Sequence, residues 1–136
     1  MPHLSRYKLT PGHIDDLSSR IVEATLILRD RGSLKLFFDD LLTTTEKAML
    51  GKRILIALLL EEDYSYQQIE RILKVSQTTI GTISEKLQRD GRGFRMFIKN
   101  LERSKNFKNT FETIEKLFMS LPRKSDPRGR WNMVKV

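Results

Sequence analysis

Apolar positions along this chain recur at helical spacing almost from end to end. Thr10 followed by Pro11 is a cap with proline at the first helical position. Ile14, Leu17, Ile21, Ala24 and Leu28 then return every three or four residues, with Gly32 as the expected stop. Ser33 is expected to cap a second helix whose apolar face is Leu34, Phe37, Phe38 and Leu41. Thr43, with Glu46 three residues later, is a capping box opening a third helix that runs to Glu62.

The third helix breaks the amphipathic pattern. Ile54, Leu55, Ile56, Ala57, Leu58, Leu59 and Leu60 place apolar side chains on every face, and such a helix must be buried all round. In a chain of 136 residues, one simple solution is to cross a second copy, so a homodimer is expected. The alternative is a central helix wrapped by its own chain.

The pattern then resumes. Ser65 and Gln68 form a further capping box, starting a short helix through Ile69, Ile72 and Leu73. Lys74-Val75-Ser76 connects it tightly to a helix from Gln77 to Gln88. Gly91 and Gly93 bracket an expected turn before a helix carrying Phe94, Phe97, Ile98 and Leu101. Asn109 with Glu112 is read as the cap of a last helix bearing Phe111, Ile114, Leu117, Phe118 and Leu121. No internal repeat and no hairpin signal interrupts the series. The fold class is therefore all-α: an N-terminal arm (residues 1–9), a helical body (10–121) and a basic flexible tail (122–136).

Composition narrows the chemistry. There is no cysteine, which excludes disulfides and thiolate metal sites, and His3 and His13 are too far apart to pair on a metal. Met1 to Pro11 lacks the apolar stretch of a signal peptide, and the run from Ile54 to Leu60 is far short of the ~20 residues that span a bilayer. A cytoplasmic, nucleoid-associated setting with no membrane contact is expected. The net charge of +8 is uneven: residues 1–63 hold 9 Lys/Arg against 10 Asp/Glu, and residues 64–136 hold 16 against 7. Such a basic half suits a polyanion, whose condensed counterions are released as phosphates are neutralised, although a solvated basic surface would look the same.

The segment from Ser65 to Leu87 decides between these. It has the grammar of a helix-turn-helix, in which two helices meeting at a sharp angle need small apolar plugs at fixed places. Ile69 and Leu73 supply them on the first helix, Val75 at the turn, and Ile80 and Ile83 on the second. The other face of the second helix carries Gln77, Thr78, Gly81, Thr82 and Glu85, mostly short or polar side chains suited to base edges in a major groove. Gln77, Thr78, Gly81 and Thr82 are the expected base-reading residues. Ser76 caps that helix and turns backbone N–H groups outward, where a phosphate can sit. Lys74, Arg71, Lys86 and Arg89 flank it as further phosphate contacts, with Arg92 and Arg95 beyond. Lys74 holds a turn position often given to glycine, where a left-handed conformation costs a side chain energy.

Leu50-Gly51-Lys52-Arg53, the apolar helix after it, Tyr66-Gln67-Gln68-Ile69-Glu70 and Val75-Ser76-Gln77-Thr78-Thr79-Ile80 together resemble the Trp repressor superfamily. With Phe37-Phe38-Asp39-Asp40-Leu41, the chain is most similar to the YerC/YecD-type Trp-repressor-related proteins. The resemblance covers roughly residues 30–101. It implies an intertwined helical homodimer whose two reading heads address successive major grooves of double-stranded DNA. It also implies a ligand pocket, since Trp repressors hold an indole between two arginines. Arg53 matches the first, and Thr43 matches a residue near the pocket. Thr82 stands where the second arginine belongs, and a threonine can neither stack on an indole nor clamp a carboxylate. A tryptophan corepressor is accordingly not expected, nor any other cofactor.

Two other function classes are compatible with parts of the sequence. One is a non-specific or architectural nucleic-acid binder, or an adaptor for RNA or protein. Single-strand readers present stacking aromatics, but Phe94, Phe97, Phe107, Phe111 and Phe118 fall at core spacing, leaving Tyr64, Tyr66 and Trp131 as free rings. The other is an enzyme, for which the sequence offers no phosphate loop, HExxH or nucleophile elbow. Its acidic pairs, Asp15-Asp16, Asp39-Asp40 and Glu61-Glu62, are adjacent residues that do not face each other on a helix.

Overall fold

The computed structural model describes residues 8–119, with side chains through Leu117, and every regular element among them is a helix. In chain order these are α1 (Pro11–Leu28), α2 (Arg31–Leu41), α3 (Thr44–Glu61), α4 (Tyr66–Leu73), α5 (Gln77–Asp90), α6 (Arg92–Glu102) and α7 (Asn106–Met119). Most of the expected arm (1–7 of 1–9), the whole basic tail, Trp131, Leu121 and the Phe118 side chain lie outside the described residues. None of the described helices is long and apolar enough to cross a membrane, and no described cluster of His, Asp or Glu could hold a metal ion.

The chain divides into two compact units, residues 1–47 and 48–136. In the first, Thr10 caps α1 by accepting the His13 N–H at 3.1 Å. Gly32 does not stop this helix. Arg29 does, at φ 57, donating its N–H to the Thr25 carbonyl. Asp30 then caps α2 by accepting the Ser33 N–H at 2.8 Å, so Gly32 and Ser33 sit inside the first turn. The carboxylate outcompetes the expected serine cap because it stands where its acceptor meets an orphan N–H. These bonds, first of all the Ser33 N–H, hold the Asp30 carboxyl below its ordinary range.

α1 and α2 pack on one another, yet neither holds a fully buried residue. Leu17, Ile21, Val22, Leu26 and Ile27 of α1 are exposed, as are Leu36 and Leu41 of α2, and Leu36 and Ile27 reach 70% and 71%. Leu34, Phe37 and Phe38 are only half-buried. Asp39 accepts from Lys35 and from Lys47, and the Lys47 bond is the main reason its carboxyl is held low.

The core belongs to the second unit. Ile56, Ala57, Leu58 and Leu59 of α3 have no exposed surface, and Ile69, Ile72, Leu73, Ile80, Ile83, Leu87, Ile98, Leu101, Phe111 and Ile114 join them. About one turn of α3 is thus wrapped by its own chain. Met49, Leu50 and Ile54 of the same helix stay exposed. Tyr64, expected to be free, is also buried in this core, whereas Phe97, expected inside it, is 44% exposed.

Two boundaries differ from expectation. Gly93 lies inside α6, and the joint with α5 is Gly91 alone. The last helix begins at Asn106, not Asn109, because the Ser104 hydroxyl takes the Asn106 N–H at 3.2 Å and fixes the start earlier. α7 packs on both α4 and α6. Its Phe107 and Phe111 rings stand 4.3 Å apart, centroid to centroid.

Candidate nucleic-acid interface

The helix-turn-helix is built from local bonds before any tertiary contact. Ser65 Oγ accepts the Gln68 N–H at 3.1 Å, and Gln68 Oε1 accepts the Ser65 N–H at 2.9 Å, so the capping box closes in both directions. α4 ends at Lys74, which adopts φ 55 and ψ 52 and donates its N–H to the Glu70 carbonyl at 2.8 Å. A left-handed lysine therefore does the work usually given to glycine at this turn. Ser76 caps α5, accepting the Thr79 N–H at 3.2 Å, and its hydroxyl pairs with that of Thr79 at 3.0 Å.

The expected plugs are in place. Ile69, Leu73, Ile80 and Ile83 are buried and Val75 is half-buried against them. Their burial leaves the opposite face of α5 outward. Gln77, Thr78 and Thr82 are exposed, and a Cβ on Gly81 would meet nothing within 4 Å. The Thr82 hydroxyl donates back to the Thr78 carbonyl at 3.0 Å. No acidic residue lies in the first turn of α5. With Ser76 satisfying Thr79, the earlier N–H groups of the helix remain available to an anion.

The flanking cations are not equivalent. Arg89 pairs with Glu85 at 2.6 Å on the exposed side of α5, a surface contact worth little against a phosphate. Arg92 forks onto Asp90 at 2.8 and 3.0 Å, which holds the Asp90 carboxyl below its ordinary range. Lys74 and Lys86 are exposed and make no ion pair among the described residues. Arg71 is half-buried on α4.

Arg95 is exposed but engaged on two sides. Its Nε donates to Glu61 at 3.0 Å and its Nη2 to the Leu87 carbonyl at 2.8 Å. Gly91 makes room for this, since a Cβ there would lie 2.8 Å from Leu87 Cδ2 and 3.0 Å from Arg95 Nη1. In the sequence Gly91 reads as one side of a turn and Arg95 as a basic flank, and no local pattern marks the joint between them. Beside the joint, Ile54, Phe94 and Phe97 form the apolar part of an open hollow of about 630 Å³ that Lys86 and Arg89 also line.

The two residues matched to a ligand pocket belong to different units. Thr43 belongs to the first unit and closes the capping box of α3: its hydroxyl accepts the Glu46 N–H at 3.1 Å, and Glu46 Oε1 accepts the Thr43 N–H at 2.9 Å. Those two bonds, the backbone one foremost, hold the Glu46 carboxyl below its ordinary range. Arg53 belongs to the second unit and stands half-exposed on α3.

No curated protein and no solved structure matches the chain. A family model does: the one described as Trp repressor protein matches residues 15–102, from the first turns of α1 to the last residue of α6, and leaves α7 outside. An all-helical chain with a capped helix-turn-helix, matched over that span, belongs to the Trp repressor family of DNA-binding transcription regulators.

Proposed function

We propose that the protein is a sequence-specific regulator that binds double-stranded DNA as a homodimer and represses by occupying its site. The observation that carries this reading is the outward face of α5. Gln77, Thr78 and Thr82 are exposed and Gly81 has open space at its Cβ position, on a capped two-helix frame beside a carboxylate-free helix start. Two such helices enter successive major grooves about one helical turn apart. Ser76, Lys74, Lys86, Arg71 and Arg89 hold phosphates, with Arg89 exchanging its Glu85 contact for DNA.

The dimer is supported less by the middle of α3, which its own chain wraps, than by α1 and α2. Leu17, Ile21, Val22, Leu26, Ile27 and Leu36 are large apolar side chains left exposed, as at surfaces that bind a partner chain. The Phe37–Leu41 and Leu50–Arg53 segments favour a YerC/YecD-type member. Thr82 in place of a second arginine favours DNA binding without an amino-acid ligand. The working compartment on this reading is the cytoplasm, at the nucleoid.

Selection from a randomised duplex library at near-physiological salt tests the proposal. Enrichment of a two-fold symmetric motif is expected. Retention without enrichment would replace it by the non-specific or architectural reading, which the small side chains at Gly81 and Thr82 favour. No retention would overturn DNA binding and leave an adaptor for RNA or protein.

A further inference from the structure

α7 lies beyond the family match, yet its side chains are part of the core. Ile114 is 1% exposed and Phe111 9%, and Phe107 and Leu117 pack around them. The partners of α7 are informative. α4 packs chiefly on α5 and α7, and α6 packs chiefly on α7. The two helices of the reading head share the core with α3 and are held in addition by an element that the family model does not include. α4, with eight residues, is too short to hold its own shape in water and takes its stability from what it packs against. A head held by α3 and the α5–α6 joint, without α7, would lose packing along α4 and open locally at lower cost. α7 adds a further fastening, on α4.

We propose that α7 is an intramolecular brace that fixes the attitude of the α4–α5 head, so that the head is set for a fixed half-site spacing without an effector. This rests on the DNA-binding reading above for its purpose, but not for its mechanics. A braced head loses little conformational freedom on binding, which favours affinity and sharpens the geometry the dimer accepts.

Ile114→Ala in the full chain removes the fully buried contact while leaving every proposed DNA contact in place. Phe107→Ala, at a partly buried ring, is the milder companion should the first fail to fold. The free proteins are compared by amide hydrogen exchange. Exchange in α4 and α5 is expected to rise about tenfold, with residues 56–59 of α3 holding their protection. Unchanged exchange in α4 and α5, or the same acceleration throughout α3 to α6, would overturn the brace. Binding is then read on duplexes whose selected half-sites are moved one base pair closer or further. The wild type is expected to prefer one spacing and the variant to lose that preference. An equal loss of affinity at every spacing would mark a merely structural helix and overturn the proposal. Should the wild type retain no duplex, the DNA reading falls, and the exchange experiment still decides whether α7 braces the head.

Discussion

Arg95 closes the end of α5 by donating through Nη2 to the carbonyl of Leu87, 2.8 Å away and one turn before the helix terminus. The same guanidinium reaches Glu61 at the end of α3, so one side chain ties the last turn of α5 to the core helix. Gly91 is the condition for that contact. Its φ of −91 is ordinary for any residue, so the requirement there is for space and not for backbone freedom.

Gly91→Ala is therefore expected to destabilise the protein. The new Cβ would lie 2.9 Å from Leu87 Cα as well as 2.8 Å from its Cδ2, and backbone cannot retreat as a side chain can. The cost should be about 1–3 kcal/mol, as for other overpacked sites. Urea unfolding measures it, and an unchanged midpoint would remove Gly91 from the joint.

Lys74→Gly should separate stability from binding. The lysine sits at φ 55, ψ 52, where a side chain costs about 1–2 kcal/mol. Glycine removes that strain but loses about 0.5–1 kcal/mol to unfolded-chain entropy. A small rise in melting temperature is expected together with weaker DNA binding, since an exposed cation is lost. Weaker folding would show that Lys74 makes favourable contacts in the turn.

Two substitutions on α5 should have different signatures. Thr78→Ala is expected to change which base is preferred, at about 1–3 kcal/mol per lost contact. Lys86→Ala should weaken all sequences alike and lower the salt slope by about one. Repeating the library selection and a salt titration on each separates them. An unaltered preference in Thr78→Ala would misplace the reading face.

Acid should loosen the start of α3. The Glu46 carboxyl is held below its ordinary range by the Thr43 N–H and hydroxyl. A depressed folded pKa means the contribution is present above the unfolded value and is lost as pH falls through the Glu range to the folded one. Glu46→Gln keeps an acceptor without a titrating proton, so its thermal stability should vary less from about pH 7 to 3 than that of the wild type. Parallel curves would mean that the capping box adds nothing to the pH dependence.

Tryptophan should leave the protein indifferent. Thr82 turns its hydroxyl into its own helix, and Thr43 is occupied by a cap. No shift in melting temperature or DNA affinity is expected on adding the amino acid, and a concentration-dependent rise in either would reinstate a ligand site.

What could be read from the sequence was the chemistry that closes over three or four residues. Thr10-Pro11, the Thr43/Glu46 and Ser65/Gln68 boxes and the Ser76 cap all stand where local rules place them. Errors arose where two candidates competed within three to five residues of each other. Asp30 displaced Ser33, Ser104 fixed a start ahead of Asn109, and Arg29 ended a helix that Gly32 was expected to end. At the interface, the plugs and the outward face of α5 followed from periodicity. The Arg95–Glu61 tie did not, because its partners are 34 residues apart and no local pattern joins them.

The bare apolar surface of α1 bears on how such a regulator responds to its own abundance. A helix that finds its apolar partners on another chain is stable only while that chain is near, so folding of the first unit and assembly become one equilibrium. On the dimer reading, site occupancy then follows the square of the protein's concentration when copies are few. A modest fall in synthesis would release a target steeply, with no small molecule needed to signal the change.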